Sequence, residues 1–261
     1  MGGFSYKDIY IEDGRRVLEV NILPEKYCNF DCIFCPIGRS QNKVDTQKSF
    51  DDMDSSLKEL ESIIENAKAE LIFINSKGEA LLNDKIGDII DLIKDKGLPV
   101  RLLSNGYLLG RDEYMKIANK CDEVVGEIKV IKEEDFQKIQ RPIEGYTLEE
   151  YISNMISFNK QYNGKFILEI TIIKGYNDDE ESIQKIKNII KKISPDKIII
   201  ARIEDEKFKK KLGISDERFE EISNVLLDPG QSGMWNWRDE LTKKGNRAKI
   251  VLNTNQYERR H

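Results

Sequence analysis

Three thiols stand within one short stretch, Cys28-Asn29-Phe30-Asp31-Cys32-Ile33-Phe34-Cys35, at the spacing C-x3-C-x2-C. Thiolates are the usual ligands of iron–sulfur clusters, and three from one tight loop can hold three irons of a [4Fe–4S] cube. The fourth iron is then open to a ligand that is not protein. Zinc is the rival, but zinc knuckles and ribbons use paired C-x2-C units or histidines. Here the other thiol is Cys121 and the single histidine is His261. Three unrelated buried cysteines are the third alternative. The spacing favours the cluster, with Cys28, Cys32 and Cys35 as its ligands.

The elements around this loop must hold it in place. An apolar run, Leu18–Leu23, precedes it and reads as the first core strand, closed by Pro24. Before that run, Asp13-Gly14 between short apolar stretches reads as a hairpin turn in an N-terminal extension. After the loop, Leu57, Leu60, Ile63, Ile64 and Ala67 recur at helical spacing. Strands are then expected at Leu71–Ile74, Val100–Leu103, 123–130, 166–173 and Lys197–Ala201. Helices near 86–93, 111–119, 147–160, 179–192 and 216–227 alternate with them. Strands alternating with helices mean parallel strands joined by right-handed crossovers. The fold class is therefore α/β, a partial (β/α)6 barrel of the TIM type with a small C-terminal extension. Residues 1–228 are expected to form the barrel domain and residues 229–261 the extension.

Composition narrows the setting. Charged residues make up 34% and hydrophobic residues 39%, a balance that suits one α/β domain with a full core. The net charge of −5 gives no global nucleic-acid signature, although a local basic patch can suffice. No apolar run approaches a membrane span, and the N-terminus lacks the apolar core of a signal peptide. Four cysteines without an export signal suggest reduced thiols and a cytoplasmic protein.

In a barrel of this kind chemistry lies at the C-terminal ends of the strands, so each following loop is read separately. Gly78-Glu79 follows the second strand: glycine permits close backbone approach, and a carboxylate can pair with an ammonium. Ser104-Asn105-Gly106 follows the third; a plain turn is its alternative. Glu127 and Lys129 lie at the fourth. Lys129 could meet an anion, or form a Schiff base if its pKa were depressed; a solvated lysine is its alternative. Glu169 and Thr171 share one face of the fifth strand by its period of two. Arg202, Glu204 and Asp205 follow the sixth. The extension carries Trp235 and Trp237 with Arg238, Lys243, Lys244, Arg247, Lys249, Arg259 and Arg260 against Asp239, Glu240 and Glu258. Such a tail could contact nucleic acid, or cap the barrel with Ile250-Val251-Leu252 as an added strand.

Taken together, the cysteine loop with its aromatic Phe34, Gly78-Glu79-Ala80-Leu81-Leu82, Ser104-Asn105-Gly106, Phe136-x-x-Ile139-x-Arg141-Pro142 and the Gly175-x-Asn177-Asp178 turn resemble the radical S-adenosylmethionine (radical SAM) superfamily. Within it they resemble the Fe–S oxidoreductase group related to 4-demethylwyosine synthase. The resemblance covers roughly residues 18–205. It implies a [4Fe–4S] cluster, S-adenosylmethionine on the open iron, and Gly78-Glu79 on the amino group of that ligand. It also implies contacts to S-adenosylmethionine or substrate from Phe34, Ser104, Asn105, Glu127, Lys129, Glu169 and Thr171. The chain departs from the pattern at Glu127 and Lys129, where relatives carry Ser and Asp. It also lacks the second cluster of wyosine synthesis, having no cysteine before Cys28.

The implied activity is reductive cleavage of S-adenosylmethionine and hydrogen abstraction from a substrate. With no flavin or nicotinamide fingerprint in the chain, the electron is expected from an external donor of flavodoxin or ferredoxin type. Three functions stay open: an enzyme acting on a nucleotide in RNA, one acting on a protein or peptide, and a non-catalytic cluster-binding or S-adenosylmethionine-binding module.

Overall fold

A computed structural model describes residues 3–40, 42–227 and the strand Val251–Leu252. Its frame is a sheet in the order β1-β3-β4-β5-β6-β7-β8-β9, with β2 also paired to β3. The strands β1 (Ser5–Tyr6) and β2 (Tyr10–Glu12) run antiparallel to β3 (Arg15–Asn21). Six parallel strands form the barrel: β3, then β4 (Leu71–Ile74), β5 (Val100–Leu103), β6 (Glu123–Ile128), β7 (Lys165–Ile172) and β8 (Lys197–Arg202). These are the six βα units expected. The strand β9 (Val251–Leu252) adds beside β8, in parallel, at the place where an added strand is expected. The rest of residues 228–261, with both tryptophans and the basic charges, lies outside the described residues.

The helices are α1 (Met53–Ala67), α2 (Ile86–Asp95), α3 (Asp112–Ala118), α4 (Glu133–Asp135, widening into a π turn over Phe136–Gln140), α5 (Leu148–Gln161), α6 (Glu180–Ile193), α7 (Glu206–Leu212) and α8 (Asp216–Leu227). Capping fixes several starts. The Thr147 side chain accepts from the Glu150 N–H, and Asp179 accepts from Ser182. The turn over 133–140 and the helix α7 were not expected. Neither shows an apolar repeat long enough to stand out from the sequence.

The N-terminal hairpin is more than an extension packed on the domain. Its second arm is the first barrel strand itself, which begins at Arg15 rather than Leu18. Asp13 and Gly14 both have positive φ, 51° and 80°, the turn type that matches strand twist. The pairing Tyr6↔Val20 becomes Tyr10↔Val17, so one extra residue is accommodated between β1 and β2 as a bulge.

Register sorts the side chains. Val17 pairs with Leu71, Phe73 with Arg101, Arg101 with Glu123, Val125 with Ile167 and Ile167 with Lys197. Every cross-strand pair among the six strands joins odd to odd or even to even. Even-numbered residues such as Leu18, Ile72, Leu102, Val124, Leu168 and Ile200 join the large core. Odd-numbered Val17, Leu71, Phe73, Val125, Ile167 and Ile199 fill the barrel interior as two small apolar clusters, each touching Leu103. Successive residues of a strand point to opposite faces, so this division follows from the period of two.

The interior is charged at the strands' N-terminal ends. Arg101 Nη1 meets Glu12 Oε2 at 2.6 Å and its Nε meets Glu123 Oε2 at 2.6 Å; Arg15 Nη1 meets Glu123 Oε1 at 3.0 Å. Lys197, 2% exposed, reaches Asp13 Oδ2 at 3.1 Å. The hairpin turn thus closes this end of the barrel with ion pairs. Burial alone would raise the Glu123 carboxyl, but Arg101 and Arg15 outweigh it and hold it below its ordinary value. A carboxyl with a lowered folded-state pKa stabilises fully above its unfolded pKa, and that contribution is lost as pH falls through the folded value. Replacing Arg101 leaves two buried carboxylates without their shared partner. Arg101→Met is therefore expected to cost about 3–5 kcal/mol in denaturant unfolding at neutral pH, and less in acid, where the carboxyls can protonate.

Candidate functional site

The cysteine loop leaves β3 and is held from behind. The Asp31 N–H donates to the carbonyls of Gln140 and Arg141, and the Ile33 N–H donates to Ile139 O at 2.9 Å. Phe30 bridges Pro142, and its ring meets Phe136 edge-on at 5.5 Å. The last helical carbonyls of the π turn, which have no partner within the helix, are thereby satisfied. Inside the loop, Asp31 accepts from the Ser40 N–H at 2.7 Å and from Arg39 Nε at 2.8 Å. Burial raises the Asp31 carboxyl, but Arg39 and Ser40 outweigh it and the net shift is downward. The Cys35 N–H donates to Cys32 O and the Gly38 N–H to Cys35 O, so the chain turns tightly at both thiols.

Cys28, Cys32 and Cys35 line one cavity of about 170 Å³ at the C-terminal ends of the strands. That is room for far more than a single water. Phe34, Gly78, Asn105, Glu127, Lys129, Glu169 and Thr171 line it too. Five strand ends therefore contribute residues singled out from the sequence to one space. Cys121 is buried elsewhere, and burial raises its thiol.

Burial also raises Cys28, and it pushes Cys32 up to about 12. The Phe30 N–H acts the other way on Cys28, donating to its sulfur at 3.5 Å. Cluster ligation would draw protons off these thiols. Among the described residues no three His, Cys, Asp or Glu side chains converge closely enough to hold a single ion.

Gly78 brings the second strand end against the cysteine loop. Its φ is +141°, and an added Cβ would stand 2.0 Å from Tyr27 O. Tyr27 and Gly78 pair as a parallel bridge, and the Glu79 N–H donates to Tyr27 O at 2.9 Å. Only glycine fits this close approach.

Glu79 and Ser104 are placed differently from the other expected residues. Both are buried and neither lines the cavity. The Glu79 carboxylate accepts from the Asn105 N–H at 2.8 Å, the Ser104 hydroxyl at 3.1 Å and the Leu81 N–H at 3.3 Å. Burial pushes this carboxyl up to about 7, against the lowering of those three donors. Glu79 thus braces the loop after β4 to the loop after β5. Asn105 carries the bracing onward: its Nδ2 donates to Asn29 Oδ1 at 2.6 Å and approaches Cys28 Sγ at 3.8 Å.

Lys129 is not a solvated lysine. Its Nζ lies 2.6 Å from Glu127 Oε1 and 6.0 Å from the Phe34 ring centre. Burial pulls its pKa down, but Glu127 more than reverses this and the ammonium is held above its ordinary value. The depressed pKa that an amine nucleophile needs is therefore not what this site provides. Asn177 fastens the neighbouring backbone, donating to Thr171 O at 2.8 Å and Lys129 O at 3.1 Å.

Several lining residues were not picked out as site residues from the sequence: Asn75, Ser76, Leu103, Arg202, Glu204 and Asp205. The strand-end rule is the signal that finds them. Asn75-Ser76 directly follows β4, and Arg202 ends β8. Arg202 pairs with Glu204 and Asp216, and Glu204 also takes Lys209 at 2.8 Å.

The model of the radical SAM superfamily matches residues 22–186, more than half of the chain and the whole of the site up to α6. A UPF0026 protein of Methanocaldococcus jannaschii is 27% identical over 183 residues, 69% of this chain and 57% of that protein. The chain thus spans little more than half the length of this relative. Among solved structures, TYW1 with a lysine–pyruvate adduct bound aligns with a TM-score of 0.62 at 14% identity, covering 82% of this chain and 73% of that one. Streptococcus suis SuiB bound to the precursor peptide SuiA aligns with a TM-score of 0.59 at 15% identity, covering 88% of this chain and 47% of that one. At these identities the neighbours speak for the shared fold, a partial TIM barrel. The family match rests on the stretch that carries the cysteines and four of the five strand ends after them, and by it the chain belongs to the radical SAM superfamily of enzymes.

Proposed function

We propose that this chain cleaves S-adenosylmethionine reductively and uses the product to take hydrogen from a substrate at the barrel mouth. The observation that carries this reading is the cavity that joins Cys28, Cys32 and Cys35 to residues from five further strand ends. Cys28, Cys32 and Cys35 would hold a [4Fe–4S] cluster. When bound, that cluster would supply the electron that splits S-adenosylmethionine into methionine and a 5′-deoxyadenosyl radical. Gly78 lines the cavity beside the cysteine loop and would meet the amino acid end of that ligand. Asn105, Glu127, Glu169 and Thr171 offer acceptors to its hydroxyls, and Phe34 an apolar wall. Glu79 acts through Asn105 and Ser104, which it fixes, rather than from the cavity surface. An external donor of flavodoxin or ferredoxin type would provide the electron. Among the described residues no helix is long and apolar enough to cross a membrane, and we place the protein in the cytoplasm on its reduced thiols.

For the substrate, two readings carry over. The first, a nucleotide in RNA, follows from the resemblance to the group related to 4-demethylwyosine synthase. The basic tail that would support it lies outside the described residues. The second, a protein or peptide, is favoured by the lining itself. Glu127, Glu169, Glu204 and Asp205 face Lys129 and Arg202 there, an acidic excess that opposes a phosphodiester. A non-catalytic module remains the outcome if no cleavage is seen.

The deciding experiment is anaerobic: iron and sulfide are supplied, dithionite reduces, S-adenosylmethionine is added, and 5′-deoxyadenosine is measured. Its formation is the expected result; near-stoichiometric cluster with no deoxyadenosine would point to the binding module. RNA or peptide retained on purification separates the two substrate readings. Cys32→Ala is expected to abolish iron uptake and Cys121→Ala to leave it intact; equal loss in both sinks the ligand assignment. Glu79→Ala is expected to keep iron but weaken S-adenosylmethionine binding roughly tenfold or more, since the Asn105 N–H and Ser104 hydroxyl lose a buried acceptor. Unchanged affinity in equilibrium binding removes Glu79 from the site.

A further inference from the structure

We infer that Arg39, Lys43, Lys138 and Arg141 form a basic face beside the cysteine loop that docks a small acidic one-electron carrier protein of the flavodoxin or ferredoxin class. The inference rests on the reading above that Cys28, Cys32 and Cys35 hold a [4Fe–4S] cluster supplied with electrons from outside the chain.

Two stretches of chain meet at this face. Residues 36–44 follow the third cysteine, and residues 136–143 form the segment on which the cysteine loop rests. Together they carry four cations and no acidic residue, in a chain whose acids outnumber its bases 47 to 42. Hydrogen bonds join them into one surface. The Asp31 N–H donates to Arg141 O at 3.1 Å, Lys43 Nζ donates to Pro142 O, and Arg141 Nε donates to Lys138 O at 3.2 Å. Arg39, Lys43 and Lys138 are exposed and Arg141 is half-buried. The buried Asp31 carboxylate meets Arg39 Nε at 2.8 Å and Lys26 Nζ at 3.6 Å, so one negative charge faces two positive ones and a positive charge is left over. Of the acids bordering the two stretches, Asp45 is taken by Arg111 Nη2 at 2.6 Å, while Asp135 and Glu144 stand at the ends of the second.

The face lies against the thiols without opening into the cavity. The Val44 N–H donates to Cys28 O at 3.1 Å and the Gly38 N–H to Cys35 O at 3.0 Å, so both ends of residues 36–44 lean on the backbone of a cysteine. None of the four cations lines the cavity. A partner seated on them reaches the cysteine loop from its protein side and leaves the barrel mouth to S-adenosylmethionine and substrate. An electron donor needs that arrangement. In the transfer one electron leaves the carrier and enters the cluster; no bond forms or breaks and no proton moves. Carriers of this class are acidic, and the chain's own net charge of −5 repels them. A local basic face reverses the sign where contact is made and steers the encounter. Electron-transfer complexes bury little area, so a few well-placed charges suffice. RNA is the other polyanion such a face could hold, but a substrate has to enter the cavity, and this face lies apart from it.

The test uses the full chain, reconstituted anaerobically with iron and sulfide, and a bacterial flavodoxin. Two readouts are taken at several salt concentrations: equilibrium binding of the oxidised flavodoxin, and the rate at which reduced flavodoxin bleaches the cluster's visible absorption. Lys43→Glu and Lys138→Glu are each expected to weaken binding and slow reduction roughly three- to tenfold at low salt, with the difference from the parent shrinking as salt rises. Excess dithionite is expected to reduce the same fraction of cluster in the parent and both variants. Lys192→Glu, at an exposed position in the last turn of α6, changes the net charge equally and is expected to leave both readouts unchanged. Binding and reduction like the parent's in both variants overturn the inference, and so does an equal loss in Lys192→Glu. Loss of single-stranded RNA binding in the two variants, with flavodoxin-driven reduction intact, overturns it as well and makes the face a nucleic-acid site. If Lys43→Glu takes up no iron, Lys138→Glu decides alone. A parent chain that takes up no cluster overturns the reading beneath, and flavodoxin binding by the chain as purified then still decides the docking face.

Discussion

The constraint on which this structure depends is that parallel pairing preserves parity. Across β3 to β8, each register joins odd to odd, so one class of residue looks inward around the whole barrel. Reading the inward residues along the strands gives three levels. Arg101, Glu123 and Lys197 meet the hairpin at one end; Val17, Leu71, Val125, Ile167 and Ile199 fill the middle; Glu127, Glu169 and Thr171 open into the cavity. A slip of one residue in β6 would send Glu127 into the helix-facing core and turn Val124 and Ile128 into the barrel interior. The ion pairs around Arg101 oppose such a slip, because they are satisfied in one register only.

At the other end, the site is assembled by polar cross-links between loops that are distant in sequence. Glu79 ties the loop after β4 to the loop after β5, and Asn105 ties that loop to Asn29 in the cysteine loop. Asn177 ties the end of β7 to the chain beyond β6. Glu79 and Asn177 are buried side chains that satisfy backbone groups left open where strands end. The cavity wall is therefore a set of loops that hold one another, seated on a barrel whose own register is fixed at the far end.

Much of this was legible in the sequence because it is local. The cysteine spacing, the βα alternation and the shared face of Glu169 and Thr171 each depend on residues within a few positions of one another. What escaped is long-range. Nothing near Arg101 announces that its partners are Glu12 and Glu123, or that Asp13 in a hairpin turn serves Lys197. The short segments 133–140 and 206–212 hold too few turns for periodicity to mark them. Glu79 was found as a residue and misplaced as a surface, since a dipeptide does not say which way its carboxylate turns. Lys129 was singled out with a solvated lysine as its alternative, and only the carboxylates of β6 and β7 beside it decide between the two.

The docking of the cysteine loop on the carbonyls of Ile139, Gln140 and Arg141 has a consequence in time. Synthesis runs from the N-terminus, so the three thiols leave the ribosome roughly a hundred residues before the segment that anchors them. At about 5–20 residues per second, this is an interval of roughly 5–20 s. Through that interval the loop has neither its backbone partners nor the Phe136 ring behind it, and its sulfurs are not yet shielded by the barrel. The nascent chain thus passes through a stage in which its three clustered thiols are open to solvent and to oxidation. The emergence of Pro142 marks the earliest point at which that window can begin to close.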